Sequence, residues 1–173
     1  MDTNAQVITD FYTAFQKRDY AAMNASYHKD LHFKDEVFDL HGKEAPAMWH
    51  MLCERGTDLE VTFSDISANG ETGKAYWEAI YTFSQSKRKV HNKVHASFRF
   101  KDGKIIEHID RFNFWAWTRM ALGTVGTLLG WTGFIRTKVQ ATAGKSLKAF
   151  VALCDLLDGV IIYDSEELFW YSG

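Results

Sequence analysis

The stretch Val90-His91-Asn92-Lys93-Val94-His95-Ala96-Ser97-Phe98-Arg99-Phe100-Lys101-Asp102-Gly103-Lys104 decides the fold. Val90, Asn92, Val94, Ala96, Phe98 and Phe100 fall on one face, and His91, Lys93, His95, Ser97 and Arg99 on the other. A period of two is the mark of a half-buried strand. Asp102-Gly103 then supplies residues that tolerate positive φ, as a tight hairpin turn requires. Upstream, Lys74 to Ser84 alternates with Ala75, Trp77, Ala79, Tyr81 and Phe83 on one side, and Leu59 to Ala68 with Leu59, Val61 and Phe63. Asn69-Gly70 joins these two, and Lys104 to Trp115 reads as a fourth strand. Hairpin after hairpin predicts an antiparallel meander.

Before the meander the period changes to that of helices. Ala5 to Arg18 carries Val7, Ile8, Phe11, Tyr12, Ala14 and Phe15 at helical spacing, with Asn4 as its expected N-cap. Asp19 is placed to cap a second short helix running to Tyr27. Leu31 to Leu40 alternates and reads as a strand or bent hairpin ending at His41-Gly42. Lys43 to Arg55 is helical, with Ala47, Met48, Met51 and Leu52 as its apolar side and Gly56 as its stop. A last helix is expected from about Phe134 to Val151. Helices precede the long strands instead of alternating with them, which is the α+β pattern with helices on one face of the sheet. Residues 1–151 are read as the domain and 152–173 as a C-terminal tail of unknown role: an added strand, a swapped arm, or a sequence foreign to the domain.

Composition narrows the function. A chain of 173 residues suits one domain that buries a core without staples. Aromatics at 15% are enough to line a cavity as well as fill a core. A net charge of −2 with mixed signs argues against nucleic acid as partner, which needs a concentrated basic face. The most basic run, Ser86-Lys87-Arg88-Lys89, reads as a solvated turn. Cys53 and Cys154 stand alone, and Met1-Asp2-Thr3-Asn4 lacks a signal-peptide pattern, so a cytoplasmic location is expected. Met120 to Ile135 is uncharged but is too short for the roughly 18 to 20 residues of a span and is broken by Gly123, Gly126, Gly130 and Gly133. No membrane span is expected there, and contact with a membrane surface is a minor alternative.

On the fourth strand, parity places Ile106, His108, Asp110, Phe112 and Phe114 on one face, and Ile105, Glu107, Ile109, Arg111 and Asn113 on the other. The first set puts a carboxylate among aromatics, where it can serve as a general base, with His108 to orient it. Asn92 is an amide on an apolar stripe and needs a partner if buried. Trp77, Tyr81 and Trp49 are expected walls of a pocket, and Tyr81 could donate to a developing oxyanion. His91 and His95, four apart on a strand, are about 13 Å from each other, too far for one ion. His28 and His32 straddle a helix end with no Cys or third His nearby, so no metal site is expected. No Gly-rich phosphate loop, G-x-S-x-G or C-x-x-C is present, and no cofactor is expected.

The order helix, helix, short hairpin, helix, long meander resembles the nuclear transport factor 2-like superfamily, and within it the SnoaL-like and ketosteroid-isomerase-related group. The runs that carry the likeness are Phe33-Lys34-Asp35-Glu36-Val37-Phe38, Ala75-Tyr76-Trp77-Glu78-Ala79-Ile80-Tyr81-Thr82-Phe83, Val90-His91-Asn92, Phe98 through Ile105, and Glu107-His108-Ile109-Asp110-Arg111-Phe112-Asn113-Phe114-Trp115. Ala121-Leu122-Gly123 through Leu129-Gly130-Trp131-Thr132 is similar to one bacterial branch. The resemblance covers about residues 5 to 150. It implies a curved, cone-like sheet with helices packed on its concave face, enclosing a pocket. It also implies catalytic candidates Asp110, His108 and Asp35; Asn92, Tyr81, Trp77, Trp49, Phe33 and Phe112 are the residues expected to bind substrate. The implied activity is cofactor-independent acid–base chemistry of isomerase, cyclase or dehydratase type on a small hydrophobic molecule. A binding domain without catalysis and an epoxide hydrolase are the alternatives. Hydrolysis is disfavoured because an Arg between two acids is not evident and Arg111 points to the wrong face. The family also implies a homodimer, for which the polar face of His91, Lys93, His95, Ser97 and Arg99 is suited.

Overall fold

Asp102 and Gly103 both adopt positive φ, 52° and 73°, as the hairpin reading requires. The computed structural model describes residues 3–167, and side chains over 3–157. The elements are α1 (Thr3–Gln16), α2 (Tyr20–Ala25), β1 (Tyr27–Lys34), β2 (Asp39–His41), α3 (Glu44–Arg55), β3 (Glu60–Ala68), β4 (Thr72–Phe83), β5 (Arg88–Lys101), β6 (Lys104–Phe112), α4 (Phe114–Leu122), α5 (Thr124–Leu129) and α6 (Gly133–Glu167). The six strands form one curved, unclosed sheet in the order β2-β1-β6-β5-β4-β3. β3 to β6 make the antiparallel meander read from the sequence. β1 joins its far side parallel to β6.

The core lies between the inner face of the sheet and the helices. Ile8, Phe11 and Phe15 of α1 and Met48 and Trp49 of α3 pack with Phe33, Trp77, Val94 and Phe98. Burying each of these large side chains contributes on the order of 1.5–3 kcal/mol. A second cluster of Val90, Phe114, Trp117 and Ala121 seats α4 at one end of the sheet.

Local chemistry shifts several expected boundaries. Asn4 lies inside α1 and does not cap it; its amide donates to the Asn69 carbonyl at 3.0 Å. Asp19 does cap α2, accepting from the Ala22 N–H at 3.0 Å. The fourth strand ends at Phe112, because Asn113 accepts from the Ala116 N–H at 2.9 Å and starts α4. Phe114 therefore packs from a helix, not from the strand. In α3 the buried stripe is Ala45, Met48, Trp49, Met51 and Cys53, and Leu52 is left partly exposed.

A bulge changes one parity assignment. Arg99 pairs with Glu107 but Phe100 pairs with Ile105, so Ile106 is an extra residue in β6. Ile105 is fully buried in the core, not on the outer face as strict alternation predicts. The bulge lies upstream of His108 and Asp110, which keep their inward direction.

α6 passes Val151 without a break and continues to Glu167. Val151 and Cys154 still pack against the core, whereas Leu153, Leu156 and Leu157 are exposed. Residues 168–173, with Phe169-Trp170-Tyr171, lie outside the described residues. Among the described residues no helix is long and apolar enough to cross a membrane.

Candidate functional site

The concave face of the sheet, α3, α4 and α6 enclose a cavity of about 480 Å³. Phe33, Asp35, Trp49, Trp77, Tyr81, Asn92, Asp110 and Phe112 all line it. His108 does not; it is wholly buried behind Asp110.

Asp110 is the end of a chain of directed hydrogen bonds. The Trp49 indole can only donate, and its Nε1 lies 2.8 Å from the Tyr27 oxygen. Tyr27 Oη also lies 2.7 Å from His108 Nδ1. The Asp110 carboxylate can only accept, so His108 Nε2 donates to its Oδ1 at 3.1 Å, and in the neutral ring Nδ1 is then the acceptor of the Tyr27 hydroxyl. Trp77 Nε1 donates to the same oxygen at 3.2 Å. With Oδ1 so occupied, Oδ2 is the oxygen left for a molecule in the cavity. Aromatic rings fix the imidazole from several sides: Phe98 at 4.5 Å, Phe33 at 5.2 Å and Phe11 at 5.5 Å between centroids.

Asp35 sits in the corner between β1 and β2. Its Oδ1 accepts from the N–H groups of Val37 at 2.7 Å and Phe38 at 2.6 Å, an Asx turn that bends the chain. Asp35 is half-buried and lines the cavity. Burial pushes its pKa up to about 7 against the two backbone donors, and the charge of Asp110 adds to the rise.

Two neutral donors face the same space. Burial raises the Tyr81 phenol above its ordinary range. Trp117 Nε1 donates to the Tyr81 oxygen at 2.8 Å, which leaves the phenolic proton free for a ligand. The Asn92 side chain makes no hydrogen bond among the described residues, so its amide is available to a ligand.

Sequence reasoning missed Tyr27, Trp117 and the α6 wall. Ile135, Val139, Thr142 and Ser146 line the cavity at helical spacing, a period visible in the sequence. It also missed a surface cluster. Cross-strand pairing sets His32 opposite His41, with ring centroids 4.4 Å apart. Asp39 accepts from His32 and from Lys34, both at 2.7 Å, and these partners hold its carboxyl below the usual range. The potential ligand atoms of His32, Asp39 and His41 lie within 4.8 Å of one another, on the outer face away from the cavity.

Residues 8–108 match the SnoaL-like domain family, and the chain belongs to it. The match stops two residues short of Asp110. Among solved structures, the chain is similar to an NTF2-like protein of unknown function from Burkholderia pseudomallei K96243, at 18% identity and TM-score 0.60, over 70% of this chain and 98% of that one. It is similar to an LEH-like epoxide hydrolase of M. tuberculosis at 20% identity and TM-score 0.59, over 73% and 94%. A SnoaL-like polyketide cyclase from Jannaschia sp. CCS1 aligns at 14% identity and TM-score 0.61, over 70% and 92%. At these identities the likeness establishes the NTF2-like fold. No curated protein matches the chain.

Proposed function

We propose that this SnoaL-like domain is an enzyme acting without a cofactor on a small, largely apolar molecule that carries an oxygen function. The observation that carries the reading is the polar set on one apolar cavity: Asp110, Asp35, Asn92 and Tyr81. Asp110 Oδ2 takes a proton from carbon beside a carbonyl, and His108 with Tyr27 holds the carboxylate in place. The oxygen that gains charge receives hydrogen bonds from the Tyr81 hydroxyl and the Asn92 amide. Asp35, a neutral acid below about pH 7, supplies a proton to the product side. Isomerisation, cyclisation and dehydration all use this set.

Epoxide opening is a second reading, favoured by two carboxyls on one cavity. Asp110 would activate water and Asp35 would protonate the epoxide oxygen. Against it, Arg111 is exposed on the outer face, and Arg55, the Arg that lines the cavity, is held by Ser146.

The test compares wild type with Asp110→Asn on a panel of enones, β-keto compounds and epoxides, following each by mass spectrometry. Consumption of one class by wild type and not by a folded Asp110→Asn supports the enzyme and names its reaction. Binding without consumption by either protein overturns catalysis in favour of a small-molecule-binding domain.

A further inference from the structure

Residues 111–154 hold six of the chain's twenty Lys and Arg and none of its twenty-two Asp and Glu. This acid-free run builds α4, α5 and the first part of α6, in a protein that is otherwise acidic.

Within it α5 is inside out. A Cβ on Gly126 would lie 1.9 Å from the Thr118 carbonyl oxygen, and one on Gly130 1.9 Å from Thr118 Oγ1. The glycine side of this segment is therefore pressed against α4, and the large apolar side chains face outward. Leu128 is 65% exposed, Trp131 73% and Phe134 63%, with Val125 and Leu129 beside them. A soluble helix does the reverse, burying its apolar side.

These groups form one patch. Trp115 donates to the Thr127 carbonyl and Trp131 to that of Leu128, tying both indoles to α5. Cations edge the patch: Arg119 lies over the Trp115 ring at 5.1 Å and Lys138 over the Phe134 ring at 4.8 Å. Arg88 reaches the same end of α4 and donates to the Met120 carbonyl. Glu36 of the β1–β2 corner, which reaches α6, is already paired with Arg136.

We propose that the α4–α5–α6 face is a docking surface for an anionic lipid bilayer. Exposed Trp, Phe and Leu flanked by Lys and Arg are the composition that seats a protein in the headgroup layer. Charge selects this occupant over a second copy, since a self-paired patch would set cation against cation with no acid between them. Ile135, the residue after Phe134, lines the cavity, so docking brings the cavity wall next to the lipid.

The test is co-sedimentation with phosphatidylcholine vesicles containing about 30% phosphatidylglycerol, with pure phosphatidylcholine as the control. The full chain is expected to pellet with the anionic vesicles at least tenfold more than with neutral ones, and to be released by 0.5 M salt. Trp131→Ser with Leu128→Ser should lose most of this binding, as should Arg119→Glu with Lys138→Glu. Both pairs sit on exposed positions, and unchanged thermal melting confirms that each variant folds. Equal recovery in the supernatant with both vesicle types overturns the proposal. So does a wild-type dimer in gel filtration that Trp131→Ser converts to monomer without any vesicle binding, because a second copy then covers the patch.

Discussion

Asp110 stands on a strand paired on both sides, and Asp35 in the bend between β1 and β2. Side-chain N–H groups hold Asp110, at the end of a buried chain through His108, Tyr27 and Trp49. Backbone N–H groups hold Asp35, in a turn its own side chain helps to make. The first arrangement depends on aromatic residues from three separate elements, β1, α3 and β4. The second is local to four residues. Two carboxyls from neighbouring strands thus reach one cavity by different physics: a packed relay aims one, and a local turn holds the other. The pair is what acid–base division of labour needs, provided their roles differ.

The largest effect expected is the loss of turnover in Asp110→Asn, about 10²–10⁴-fold, with stability little changed because the amide oxygen still accepts from Trp77 and His108. A variant as active as wild type would break the comparison by removing the base from this oxygen.

Asp35→Asn sharpens it through pH. The folded pKa is raised from 3.8 to about 7, so the folded state holds a proton that the unfolded chain has released. Wild type should therefore lose stability as pH rises from about 4 to about 7, and stay level above that. A rise of that size in a fully buried group would be worth about 4 kcal/mol. Contact with water in the cavity reduces this to roughly 2 kcal/mol. Urea denaturation should find Asp35→Asn more stable than wild type by that amount at pH 8 and equal to it near pH 4.

Tyr27→Phe cuts the relay. It leaves the Trp49 N–H and His108 Nδ1 without partners, at a cost of about 1–3 kcal/mol in thermal or denaturant unfolding. Turnover should fall roughly tenfold with KM unchanged, because substrate touches Asp110 and not Tyr27. A rise in KM alone would mean that Tyr27 shapes the pocket instead.

The smallest effect belongs to Asn92→Leu. Losing one hydrogen bond worth about 0.5–1.5 kcal/mol should weaken ligand binding by about two- to twelvefold, read by calorimetry. No change would show that the amide does not touch the ligand.

Much of the site was legible because pleat parity is local: Trp77, Tyr81, Asn92 and Asp110 share a face by counting in twos. The bulge at Ile106 spared them by falling upstream of His108 and Asp110. His108 was legible as a partner of Asp110, but its place behind the cavity and not on it was not. That depends on Phe98, Phe33 and Phe11, which come from β5, β1 and α1. Tyr27 was read as the end of a helix; its hydroxyl meets His108 because β1 pairs parallel with β6, a contact across 81 residues. His32 and His41 likewise became neighbours through strand pairing.

The sequence by itself determined the element types, the meander, the family and the inward face of the long strands, because period, turn residues and caps act over a few residues. Only the tertiary structure decided which polar groups meet and which way α5 faces. Hydrogen-bond chains such as Trp49–Tyr27–His108–Asp110 need atoms placed within about 3 Å, and that placement comes from packing between distant segments. The outward turn of Leu128 and Trp131 follows from the close approach of Gly126 and Gly130 to Thr118, which no pattern along the chain records.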